Sequence, residues 1–141
     1  MVETLWADND KELQRNLIQE MIESYPTLDY IVGSAVAIEA AISELRAQPH
    51  HADIKLLSIY LSHGVYRGLL RNKVEFAPTD KMVEQGQLSI RQAVHYLRNE
   101  PYETDLAPKI EVLTPMLLDE RVIAESLSPS AFRPIFSVKG H

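Results

Sequence analysis

A chain of 141 residues, 45% hydrophobic and 24% charged, has the length and balance of one globular domain around one core. Its net charge of −6, with no face of clustered Lys and Arg, argues against nucleic-acid binding, and the lack of cysteine removes disulfide and thiol chemistry. No apolar run of about 20 residues is long enough to cross a membrane, and no signal peptide is visible, which leaves the compartment open.

In chain order, Glu3 to Ala7 reads as a short strand holding Leu5 and the single tryptophan, Trp6. Asn9, with Glu12 three residues on, fits a capping box. Leu13, Leu17, Ile18, Met21 and Ile22 then recur at helical spacing until Pro26. Leu28 to Val32 is a strand apolar on both faces apart from Asp29, as in a sheet covered by helices on both sides. Gly33-Ser34 turns the chain into a helix over Ala35 to Ala47, with Ile38, Ala41, Ile42 and Leu45 inward. Gln48 to His51 is a loop.

The organising stretch is Ile54 to Asp80. The apolar run Leu56 to Tyr60 leads through Leu61-Ser62-His63-Gly64 into a short amphipathic helix carrying Val65, Leu69 and Leu70. Asn72-Lys73 breaks that helix, and a strand over Val74 to Ala77 runs out into Pro78-Thr79-Asp80. Strand, helix and strand at this length form a βαβ unit, and such units make parallel sheets. Asp80 is in place to cap a helix over Lys81 to Asn99, striped with Val83, Ile90, Val94 and Leu97. Gly86 inside it costs about 1 kcal/mol against Ala unless another backbone packs closely there. Glu100 to Pro108 is a polar linker, Lys109 to Leu113 a strand, Asp119 to Leu127 a short helix, and Arg133 to Val138 an extended edge piece, since Pro134 cannot donate to a ladder. The order predicts an α/β fold in three layers, a mostly parallel sheet with helices on both faces.

Ligands in open parallel sheets sit beyond the carboxyl ends of the strands, and Ser34, Tyr60 and Asp80 follow three strands of one direction. Ser34, His63 and Asp80 together invite a hydrolase triad. However, Ser34 lies in VGSAV rather than a G-x-S-x-G elbow, and both Ser34 and Asp80 precede helices, where caps are expected. His50-His51 has no third metal ligand near it, and His95 lies on the polar side of its helix. Asp8 and Asp10 are explained by a helix start as well as by a cation. No phosphate-cradling glycine pattern occurs, so no cofactor is expected. Tyr60 has two readings. Its ring and hydroxyl suit a cleft that holds a methylated ammonium group, or it is a half-buried core residue with its hydroxyl in water.

The segments DNDKELQRNLIQEM, YLSHGVYRGLLRNKV, DKMVEQGQLSI, EVLTP and SLSPSAFRP resemble the second lobe of type I periplasmic binding proteins, from about Val2 to Val138. Within that family the likeness is to the branch that reports trimethylamine N-oxide to a sensor histidine kinase. The resemblance implies a non-enzymatic, periplasmic, ligand-sensing lobe, 1–138, in which Ser34, Tyr60 and Asp80 face the cleft and Tyr60 supplies this lobe's ring. It also implies that the helix 81–99 packs on a first lobe, and that this first lobe, a signal peptide and the initial βα unit of the second lobe are not within these residues. Left bare, that helix is expected to self-associate as a two-fold dimer. Lys139-Gly140-His141 reads equally as a tag remnant or a natural polar tail. The same fold also serves in transport binding proteins for small polar solutes and in repressor effector domains. The repressor use requires a DNA-binding head that the acidic chain lacks.

Overall fold

The computed structural model describes residues 3–135. Among the described residues there are ten short elements: α1 (Lys11–Ser24), β1 (Tyr30–Gly33), α2 (Ala35–Ala47), a 3-10 turn (Pro49–His51), β2 (Lys55–Ser58), α3 (His63–Leu70), β3 (Ala77–Thr79), α4 (Met82–Leu97), β4 (Glu111–Leu113) and α5 (Glu120–Ser126). The tail expected beyond Ile135 lies outside the described residues.

Helix starts follow local chemistry. Asp10, not Asn9, caps α1, its carboxylate accepting from the Glu12 and Leu13 amides at 3.0 Å each. Ser34, Ser62 and Asp119 cap α2, α3 and α5 with their side chains, satisfying amides that the first helical turn leaves unpaired. Asp80 does not cap α4. Lys81 occupies that position in the left-handed region, φ +56°, without a side-chain cap bond.

The core gathers Ile18 and Ile22 of α1, Ile31 of β1, Ile38 and Ala41 of α2, Leu56 of β2, Val65 and Leu69 of α3, and Val74. Small residues on α2, Ala37, Ala40 and Ala41, let α1 lie close along it. Arg15 Nε, at 2.6 Å from Glu44 Oε1, ties the same two helices together. Glu44 is buried, and the guanidinium offsets the desolvation of its carboxylate.

β1 and β2 pair in parallel, Tyr30 opposite Lys55 through Gly33 opposite Ser58. A parallel bridge between Leu57 and Phe76 adds the approach to β3, with the Ser58 amide donating to Phe76 O and the Glu75 amide to Leu56 O, both at 2.9 Å. The α/β, mostly parallel reading holds, with two corrections. β4 runs antiparallel to β3, Ala77 opposite Leu113 and Thr79 opposite Glu111. Parallel pairing needs a crossover that lies back across the sheet, but α4 packs on α5 instead and buries none of its residues. The chain therefore re-enters from the far end. In addition, Glu3 to Ala7 forms no strand.

The stripe on α4 is largely bare, with Ile90 68% and Leu97 77% exposed. A Cβ added at Gly86 meets nothing within 4 Å, so no backbone packs there to justify the glycine. Gly86→Ala is expected to stabilise the chain by about 0.5–1 kcal/mol through the unfolded-state entropy it removes. The check is a higher urea midpoint at unchanged slope.

Candidate functional site

The carboxyl ends of β1, β2 and the β3 approach share one direction, so Ser34, Tyr60 and Asp80 emerge at one end of the molecule. Two of the three meet. A cavity of about 510 Å³ is lined by Ser34 and Tyr60 together with Trp6, Asn9, Val32 and Ile59. The Ser34 hydroxyl donates to Asn9 Oδ1 at 3.3 Å and accepts from the Ala37 amide at 3.2 Å. Tyr60 is 36% exposed, and its carbonyl accepts from Ser58 Oγ at 2.7 Å, which fixes the turn behind the ring. Asp80 is exposed and does not line this cavity, although its carbonyl accepts from Gln85 Nε2 at 3.0 Å.

Sequence reading passed over Trp6, Asn9 and Ile59. Trp6 is 88% exposed, an exposure that no local sequence pattern records. Asn9 was read as a cap and instead holds Ser34. His63 Nε2 lies 3.0 Å from the Ser128 carbonyl and the Ser34 hydroxyl donates to Asn9, so these two side chains are not paired as a triad requires. Among the described residues no group of three or more His, Asp or Glu side chains is placed to hold a metal.

Beside Asp80 lies a charged cluster centred on a buried lysine, with three half-buried glutamates around it. Lys81 is 5% exposed. Its ammonium lies 3.0 Å from Glu125, 3.7 Å from Glu111 and 3.8 Å from Glu84. The hydrogen bond to Glu125, with the attraction of all three carboxylates, outweighs desolvation and raises the Lys81 pKa above its ordinary value. Thr79 Oγ1 accepts from the Lys81 amide at 3.1 Å and donates to Ser126 Oγ at 2.8 Å. This network joins β3, β4 and α5 to the start of α4.

No family model matches the sequence. The chain is 44% identical over 136 residues to the periplasmic protein TorT of Escherichia coli K12, covering 96% of this chain and 39% of that relative. It superposes on a chain of the crystal structure of the TorS sensor domain–TorT complex in the absence of ligand with a TM-score of 0.92 and 66% identity, covering 96% of this chain and 46% of that one. The same complex in the presence of TMAO gives 0.93 and 66%, over 97% and 46%. An ABC transporter solute-binding protein from Bradyrhizobium sp. BTAi1, with bound bis-tris, gives 0.84 and 32%, over 96% and 41%. The chain thus spans about two fifths of the length of the curated relatives it matches.

Proposed function

From a chain that is TorT-like over nearly its whole length and carries the fold of a type I periplasmic-binding-protein lobe, we propose a ligand-sensing lobe. It is the second lobe of a periplasmic, non-enzymatic protein that binds trimethylamine N-oxide and signals to the sensor domain of a histidine kinase. The observation that carries this reading is the position of Tyr60, a half-exposed ring at the carboxyl end of a parallel strand, in one cavity with Ser34. An aromatic face suits the methylated cationic centre, and hydroxyl donors suit the N-oxide oxygen. Asp80 lies at the same end and meets the ligand only when the first lobe closes over it. In this reading the bare stripe of α4 rests on that first lobe.

One ring contributes about 0.5–1 kcal/mol at an exposed site, whereas millimolar affinity requires about 4 kcal/mol. Calorimetry should therefore detect no binding of trimethylamine N-oxide to the 141-residue chain. The longer protein should bind it, and Tyr60→Ala there should weaken binding by about 2- to 30-fold, the upper end corresponding to the roughly 2 kcal/mol of a ring desolvated between closed lobes. Tight binding by the chain alone would refute a cage shared between lobes, and unchanged affinity in the variant would remove Tyr60 from the site.

A second reading, a transport protein for a small polar solute, is favoured by the likeness to the Bradyrhizobium solute-binding protein. Binding of the longer protein to the TorS sensor domain separates the two.

A further inference from the structure

The chain has a net charge of −6, yet its cations are not spread evenly. A cavity of about 200 Å³ runs along the groove between α2 and α3, and Lys11, Arg46, Arg67, Arg71 and Lys73 line it. A second cavity, of about 340 Å³, borders the start of β2, where Lys55 joins Arg46, Arg71 and Lys73, with Asp53 and Glu75 beside them. Arg46, Arg71 and Lys73 line both cavities, so they stand where the two meet.

Local packing holds these three together. α3 lies against α2 through Gly68, where an added Cβ would come within 2.6 Å of Val74 Cγ2 and 3.0 Å of Ile42 Cδ1. Only a residue without a side chain lets α2, α3 and the segment after α3 close on one another. Beyond the helix, Asn72 takes the left-handed conformation, φ +53°, which asparagine tolerates better than most residues. The Lys73 amide then donates to the Gly68 carbonyl at 2.8 Å. Arg71 and Lys73 are thereby set on a fixed turn beside Arg46.

Ordinary surface electrostatics does not account for the cluster. Arg46 and Arg67 lie in the last turns of α2 and α3, where a cation suits the helix dipole. Lys11 opens α1, where a cation opposes the dipole, and Lys73 lies outside any helix. Arg15, Lys81 and Arg121 are each paired with a glutamate. Among the described residues, the side chains of Lys11, Arg46, Arg67, Arg71 and Lys73 make no ion pair and no hydrogen bond. The carboxylate that lines the same cavity, Glu39, is already engaged. Its Oε1 accepts from Ser62 Oγ at 2.6 Å, in space left open by Gly64, where an added Cβ would collide with it. With Glu39 counted as one negative charge and the ends of α2 and α3 as about half a charge each, the five cations leave about three positive charges uncompensated.

We propose that this groove is a second binding site, for a phosphate-class oxyanion. About three uncompensated charges suit a polyvalent anion better than a single carboxylate, and the guanidinium forks of Arg46 and Arg71 match phosphate oxygens two at a time. The centre of the site lies at the amino ends of the strands, where Lys55 opens β2. Tyr60 is five residues further on, about 16 Å along an extended chain, so the site is separate from the cavity of Ser34 and Tyr60. No residue of α4 lines it, so it stays open when another lobe rests on that helix. The phosphate is either free in solution or part of an anionic phospholipid headgroup. The inference does not rest on trimethylamine N-oxide.

The test follows thermal unfolding of the 141-residue chain at fixed ionic strength, with sodium chloride exchanged for sodium tripolyphosphate. At ten times its dissociation constant a ligand multiplies the folded-to-unfolded ratio about 11-fold, which raises the melting temperature of a chain this size by about 3–6 °C. The double variant Arg46→Gln with Arg71→Gln should melt within about 3 °C of the parent in chloride and lose the rise. Arg98→Gln, an exposed arginine outside the groove, should keep it. Lys73→Gln repeats the comparison if the double variant does not fold, with binding weakened by about 5-fold or more. No rise in the parent, or an equal rise in the double variant, overturns the proposal. Polyglutamate that raises the melting temperature as far as tripolyphosphate at equal charge also overturns it, since the groove would then take an acidic protein. Sedimentation with phosphatidylcholine vesicles containing phosphatidylglycerol separates the two sources. Binding lost in the double variant assigns the headgroup, and a tripolyphosphate response without vesicle binding assigns free phosphate; each upholds the site.

Discussion

Ile38→Ala is expected to lower the unfolding free energy by about 2–5 kcal/mol. Ile38 is fully buried, at the centre of the cluster that joins α1, β1, α2, β2 and α3. Removing its outer carbons forfeits their transfer free energy and leaves a cavity that neighbours already pinned by two helices and a sheet fill only in part. A domain of this size has a stability of about 5–15 kcal/mol in all, so yield alone does not compare the variants. Urea unfolding followed by circular dichroism measures it directly. Trp6 is a poor reporter because it is open to water in the folded state. Val32→Ala serves as the control. Val32 is 64% exposed, and its truncation should stay within about 0.5 kcal/mol. A similar loss for both would mean that the core is elsewhere.

Lys81→Met is expected to destabilise the chain more than any exposed lysine substitution, with Lys73→Met as the comparison. It leaves Glu84, Glu111 and Glu125 facing one another at the junction of β3, β4, α4 and α5, with Arg121 on the outer side of Glu125 at 3.4 Å. A cluster deprived of its only central cation keeps the cost of desolvating the carboxylates and loses the attraction that offset it. The pH dependence has a definite sign. The Lys81 pKa is raised in the folded state, so the folded state holds the proton more tightly. The stability it contributes is complete below the ordinary lysine value and is lost as pH rises through the folded value. Melting temperatures of the parent and variant should therefore differ most at neutral pH and converge in strong alkali. A gap that stayed constant from neutral to alkaline pH would show that the ammonium charge does not act there.

Much of this was legible from the chain because the signals were local. The stripes of α1 and α2, the apolar runs of β1 and β2, and the serine before α2 are readable within a dozen residues, and each led to the right element. Caps were harder where two candidates adjoin. Asn9 and Asp10 are both good caps, and what chose Asp10 was the pull of Ser34 on Asn9, 25 residues away. At α4 the aspartate was the better cap by type, but Lys81 took the position because three glutamates from separate elements hold it. The direction of β4 depends on where α4 comes to rest, which no local pattern records. In the same way, Ser34 and Tyr60 could be placed from strand direction alone, while Trp6 enters their cavity only through the path of the stretch 3–7 around α1.

The left-handed lysine at the start of α4 has a mechanical consequence. Sixteen residues of helix make a rod about 24 Å long, fastened at Lys81 and carrying no buried side chain along its length. Such a rod is a lever with its fulcrum at one end. A tilt of about 10° at the fulcrum carries Leu97 through roughly 4 Å. A small rearrangement around one ammonium group is thereby magnified at the far tip of the helix.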